Sequence, residues 1–270
     1  MRPSTTQVSW VGLAALVLLA LLTGTAVVTA VVWSTRGAGT GTTPHSAPHA
    51  ASEDGYAVWD RNDDGTPVRW DPCRPVRIVA SGVGAPTTYP LDQLVADLEH
   101  AAGVLREATE IELTVIGTST EVPDASRSTL ATEGASRAWA PVLVGWRAPG
   151  EGDLPLRDVD RAVAVPVAVG TSRERVYVTA QVVLNPERTD LVPGARDRSS
   201  SWGATLLHEL AHVLGLDHVD DPDQLLHTYP GVGPVELGAG DRAGLRTLGA
   251  EHGCLDVPEP RELDVVVPAG

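Results

Sequence analysis

HELAHVLGLDH, residues His208–His218, places three of the chain's eight histidines and one glutamate within eleven positions. In an α-helix, residues four apart lie on one face, so His208 and His212 offer two imidazoles to a common point. Glu209 follows the first of them and reaches the same region. Gly215 stands where the helix should stop, because glycine tolerates the left-handed conformation that ends helices. The chain can then turn back and deliver His218 as a third imidazole. Two histidines at this spacing occur by chance in amphipathic helices; the glycine and third histidine at their places make a metal site the better reading. Three protein ligands with one open position is the catalytic zinc arrangement, whereas structural zinc sites usually close with four. The expectation is one Zn²⁺ held by His208, His212 and His218, with Glu209 as general base for hydrolysis.

Working outward, Ser200 or Ser201 can N-cap this helix, which should run to about Leu214. Upstream, Arg175–Leu184 (RVYVTAQVVL) has the strongest strand signal. Ala162–Val169 (AVAVPVAV) is also strand-like, and Pro166, lacking an N–H, suits a sheet edge rather than its centre. Pro141–Trp146, Glu110–Gly117 and Arg77–Ala80 read as further strands. Leu91–Glu107 carries apolar residues at 91, 94, 98, 102 and 105, a helical stripe. Asp241–Leu248 reads as a short last helix. The order predicts a mixed α/β single domain over residues 56–256, with a tail at 257–270.

The 270 residues carry a formal charge of −15, and every basic residue is arginine. Such an acidic chain is a poor partner for nucleic acid. There is no phenylalanine, so leucine, valine and alanine must fill the core. Residues 8–33 (VSWVGLAALVLLALLTGTAVVTAVVW) contain no charge. At ~1.5 Å per residue they are long enough to cross a hydrocarbon core of ~30 Å. A membrane anchor behind a seven-residue cytoplasmic stub (1–7) is the first reading; a signal peptide cleaved after Ala30 is the second. Either exports the body, as a single-pass cell-surface protein or a secreted one. Residues 34–55, rich in Gly, Thr, Ala and Pro, read as a flexible stalk whose His45 and His49 are simply solvated. Two cysteines could be free thiols or one bridge; export favours a Cys73–Cys254 disulfide.

The H-E-x-x-H-x-x-G-x-x-H pattern of His208, Glu209, His212, Gly215 and His218 resembles that of the metzincin zinc peptidases. Asp221-Pro222 and Leu225 extend the likeness to the matrixin branch. The resemblance implies a single catalytic domain with a twisted mixed sheet, a zinc helix and a small C-terminal part bearing one helix. It implies a protein or peptide substrate lying along an edge strand beside the cleft, for which Ala162–Val169 is the candidate. Where the family has a methionine in a turn under the zinc, this chain has Leu226. Leucine keeps the volume and apolar character, so zinc binding should survive. His227 and Tyr229 follow, the first as a minor candidate for the metal, the second for the pocket wall. Cys73, in DPCRP, superficially resembles the matrixin latency cysteine, but the disulfide reading is preferred. The resemblance thus implies a membrane-anchored zinc endopeptidase. The alternative from another class is a zinc-containing surface binding protein of the same fold without turnover, to which Leu226 lends its only support.

Overall fold

The helix that carries the motif, Trp202–Val213, is buried at all twelve positions. A helix surrounded on every side is core rather than surface, and the rest of the domain is arranged around it. The computed structural model describes residues 52, 54–134, 136–171, 173–194, 197, 199–228 and 234–260, and all the structural statements below concern these. The expected membrane segment 8–33, most of the stalk with His45 and His49, Tyr229, and residues 261–270 lie outside them. No helix among the described residues is long and apolar enough to cross a membrane.

In chain order the elements are β1 (Ala57–Val58), β2 (Arg69–Trp70), β3 (Val76–Ser81), α1 (Leu91–Thr109), β4 (Leu113–Ser119), β5 (Leu130–Glu133), β6 (Ser136–Trp139), β7 (Val142–Trp146), β8 (Ala162–Thr171), β9 (Glu174–Leu184), α2 (Trp202–Val213), β10 (Leu216–Asp217) and α3 (Ala239–Leu248), followed by a 3-10 turn. The main sheet is mostly parallel: β4, β3, β7 and β9 follow one another, and β2 pairs with the start of β9. β8 alone runs antiparallel, pairing with β9 along its length. Among the described residues no strand pairs with the other edge of β8. The edge position expected from Pro166 is therefore observed, and the mixed α/β class with it.

Two differences from the sequence reading have local causes. The strand expected from Glu110 starts only at Leu113, because α1 runs on to Thr109 and Glu110 takes the left-handed capping conformation (φ 58°), its N–H donating to Arg106 O. The β5–β6 hairpin, Leu130 opposite Trp139, was not anticipated. Its strands are four residues each and lack an apolar alternation for a period-two pattern to reveal.

The core is rich in leucine, valine and alanine, as the absence of phenylalanine requires. It also holds an aromatic knot: Tyr89 stacks on Trp202 (5.6 Å between centroids), and Trp146 meets both edge-on. This knot packs the first turn of α2 against α1 and the sheet. Ser201 caps α2, its hydroxyl accepting from the Ala204 N–H at 3.2 Å.

Cys73 and Cys254 form a disulfide with Cα atoms 5.4 Å apart, across 181 residues of sequence. The matrixin-type latency role is thereby closed to Cys73 in this oxidised state. The group Asp71, Cys73 and Cys254, although close together, offers no thiolate to a metal for the same reason. In the chain-entropy model a loop this long stabilises by about 5 kcal/mol. Further bonds seal the same corner: Leu255 N–H donates to Asp71 Oδ1, Arg69 Nη2 donates to His252 and Gly253 carbonyls, and Trp139 Nε1–H donates to Pro258 O. Packing on the sheet thus continues through Val257, which is buried.

Candidate metal centre

α2 ends at Val213, one residue after His212. Gly215 takes φ +107°, and its N–H donates to His212 O at 2.9 Å. A Cβ there would come within 3.1 Å of the Tyr177 ring and 3.3 Å of Val68 O. Both the backbone conformation and the lack of space require glycine. The turn leads into β10, which ends at Asp217, and His218 follows directly.

The three imidazoles converge. His208 Nε2 lies 3.0 Å from His212 Nε2 and 3.1 Å from His218 Nε2, and the remaining pair is 3.2 Å apart. Two of the rings hold their other nitrogen against a backbone carbonyl. His208 Nδ1 is 2.9 Å from Leu225 O, and His212 Nδ1 is 2.8 Å from Leu216 O. A carbonyl only accepts, so these Nδ1 atoms carry the proton, and each neutral ring turns the lone pair of Nε2 toward the other. Lone pairs held this close repel one another unless a cation lies between them. Four-coordinate zinc, with Zn–N of 2.0–2.1 Å, sets its nitrogens roughly 3.3 Å apart, so the donor set fits a tetrahedral metal with three protein ligands. His208, His212 and His218 therefore form a potential metal site.

Burial holds the rings in the ligating form. It pushes the His208 imidazole down to about 4, with Arg161 adding repulsion, and pushes His212 well below 6.5, with its two neighbouring imidazoles acting in the same direction. Both are neutral at pH 7. Glu209 is 7% exposed, and burial raises its carboxyl to about 8; Asp160 adds to the rise and a hydrogen bond from the Ala164 backbone N–H opposes it. Ala164 belongs to β8, so Glu209 sits against the edge strand. A dication on the three imidazoles would offset the cost of ionising it.

This predicts an unusual pH dependence for the metal-free protein. A carboxyl raised from 4.5 to about 8 stabilises the fold most below pH 4.5, and that contribution is lost as pH rises to 8. Replacing Glu209 with Gln should therefore stabilise the metal-free protein at pH 7.5 by on the order of 2–4 kcal/mol. The gain should vanish near pH 4.5 and shrink when zinc is added. Denaturant titrations at both pH values check this; equal stability at pH 7.5 would contradict it.

The segment after His218 folds back under the site. Val219 N–H donates to Leu226 O and Thr228 N–H to Val219 O, a short parallel bridge. Leu226 is 1% exposed and belongs to the main core, while its neighbour Leu225 supplies the carbonyl at His208. Leu226 is thus buried next in sequence to the residue whose carbonyl bonds His208. Leu226→Met keeps volume and apolar character, and should change stability by less than ~1.5 kcal/mol with metal content unaltered. Leu226→Asp should fail to fold, since it buries an unpaired charge. Thermal melts and metal analysis of both variants check the pair. His227 is not part of the three-histidine group.

Two supports escaped the sequence reading. Asp241, noted there only as the start of the last helix, is 2% exposed, and its carboxylate accepts from Leu225 N–H (2.6 Å), Leu226 N–H (3.4 Å) and Gly238 N–H (2.8 Å). It ties the N-terminus of α3 to the backbone that orients His208. Gln224 joins in, its side-chain carbonyl accepting from Asp241 N–H and its amide donating to Asp221. The other support is Trp59, whose ring meets the His212 ring edge-on at 5.2 Å. Nothing marks either residue in sequence as a support of the histidines.

Compared with known proteins, the chain matches no family profile and no curated sequence.

Proposed function

We propose that this protein is an extracytoplasmic, zinc-dependent endopeptidase of the metzincin type, closest to the matrixins. The observation that carries the reading is the joint placement of three converging Nε2 atoms, a buried glutamate between two of them in sequence, and an edge strand touching that glutamate. His208, His212 and His218 would hold the metal. When bound, zinc supplies Lewis acidity, polarising a carbonyl and making water acidic near pH 7. The chain's own residues do the rest. The open edge of β8 offers backbone N–H and C=O groups to an extended peptide, which lays the scissile bond along the site. The Glu209 carboxylate takes a proton from the attacking water and returns it to the leaving amide nitrogen. Leu225 O and Leu216 O keep two imidazoles in the ligating tautomer throughout.

The layout supports the same family: a strand-rich N-terminal part, the motif helix, then a short part with one helix. A metal-binding surface protein without turnover is the second reading, and the intact, buried Glu209 argues against it. Cleavage of an unstructured protein such as casein separates them. The zinc-loaded protein should cut it, a chelated sample should not, and added zinc should restore the activity. Zinc-loaded protein that leaves casein intact would support the binding protein instead.

The charge-free run at 8–33 supports a single-pass anchor with the catalytic body outside the cell. Protease added to intact cells should release the body, and N-terminal sequencing should find a chain starting near Met1. A mature chain starting near Val31, free in the medium, would show secretion.

A further inference from the structure

We infer that Trp59 is a positioning residue for the ligand His212 and that, with β1, it clamps the metal loop from the N-terminal side. The inference rests on reading the three imidazoles as a metal centre. His208 and His212 belong to one helix, but His218 lies beyond it in non-helical chain, so the site's geometry depends on residues 214–218. Its only regular element is the two-residue β10, and β10 pairs only with β1 among the described residues. Val58 lies opposite Leu216 and Ala57 opposite Asp217, and Trp59 N–H donates to Gly215 O at 2.8 Å. Residues 57–59 thus zip onto 217–215. The same three loop residues serve the ligands: Gly215 makes the turn, Leu216 O accepts from His212 Nδ1, and Asp217 Oδ1 accepts from His218 N–H at 2.7 Å.

The indole completes the grip. It meets the His212 imidazole edge-on, with the ring planes at 71°, and this is its one ring contact among the described residues. Trp59 is 37% exposed while His212 is 3% exposed, so a partly exposed ring rests against a buried ligand. Anchors on both sides fix where it stands. Tyr56 OH hydrogen-bonds Thr247 Oγ1 on α3, Val58 is in the main core, and the Asp60 carboxylate is gripped by the Arg175 guanidinium on β9. Trp59 buries most of its surface, and at the metal site it does more than fill space. Its contribution is to hold the His212 ring in the orientation a metal needs before the metal arrives, so the ordering cost is not met at binding.

The test uses the full-length protein and zinc competition against a chromophoric chelator, with metal-free denaturation measured in parallel. Trp59→Ala should weaken zinc binding by ~10–100-fold, the range for residues that orient a ligand. Trp59→Phe, which keeps an aromatic face for the imidazole, should recover most of that affinity. Trp59→Leu, which keeps apolar bulk without a ring, should stay weak. The Phe and Leu variants decide the matter even if the Ala variant does not fold. A merely structural role would lower metal-free stability and leave affinity unchanged; wild-type affinity in Trp59→Ala, or equal affinity in Trp59→Leu and Trp59→Phe, would overturn the inference alone. A wild-type protein that binds no zinc would overturn the metal reading beneath it.

Discussion

Glu209→Ala is expected to retain zinc and fold normally yet lose peptidase activity by ~10²–10⁴-fold, the usual cost of removing a general base. The carboxylate is not among the converging nitrogens, so its removal leaves the donor set intact. Its burial is costly in the metal-free protein, so truncation should not harm stability either. The effect belongs in kcat: a group that only moves a proton contributes to the transition state more than to substrate binding. Side-by-side casein assays with metal analysis of both proteins check it. Activity at the wild-type level would remove Glu209 from the mechanism.

The second large effect is His218→Ala. Two imidazoles on one helix remain, but a two-nitrogen site holds zinc far less well than three. Affinity should fall by more than the ~10–100-fold that loss of a supporting partner costs. Activity at limiting zinc should disappear with it. The fold should persist, because His218 lies at the end of a loop held by β1 and by the Val219–Leu226 backbone bond. Circular dichroism beside equilibrium dialysis separates loss of metal from loss of structure. Unchanged zinc affinity would mean that the third ligand has been misassigned.

The donor set was legible in the sequence because helical spacing is short-range geometry: residues 208 and 212 share a face whatever surrounds them. Gly215 was legible because few residues can reverse a chain there. Pro166 announced an edge strand through its missing N–H, and two cysteines in a chain whose N-terminus reads as an export segment announced a bridge. What orients the imidazoles was not legible. Leu216 O and Leu225 O are backbone carbonyls, which every residue has, and only the tertiary path aims them. Asp241 reaches Leu225 across 16 residues, and Trp59 reaches His212 across more than 150. The parallel pairing of β3, β4, β7 and β9 was likewise hidden, since local pattern reveals a strand but not its neighbours. The β5–β6 hairpin, too short and too polar to show alternation, was hidden for a local reason instead.

The three-histidine centre underlies everything proposed here, and elemental analysis of the purified full-length protein tests it most directly. The account predicts one zinc per chain, retained through dialysis against metal-free buffer and removed by a strong chelator. A protein without stoichiometric metal, which also fails to take up zinc when it is supplied, would contradict it.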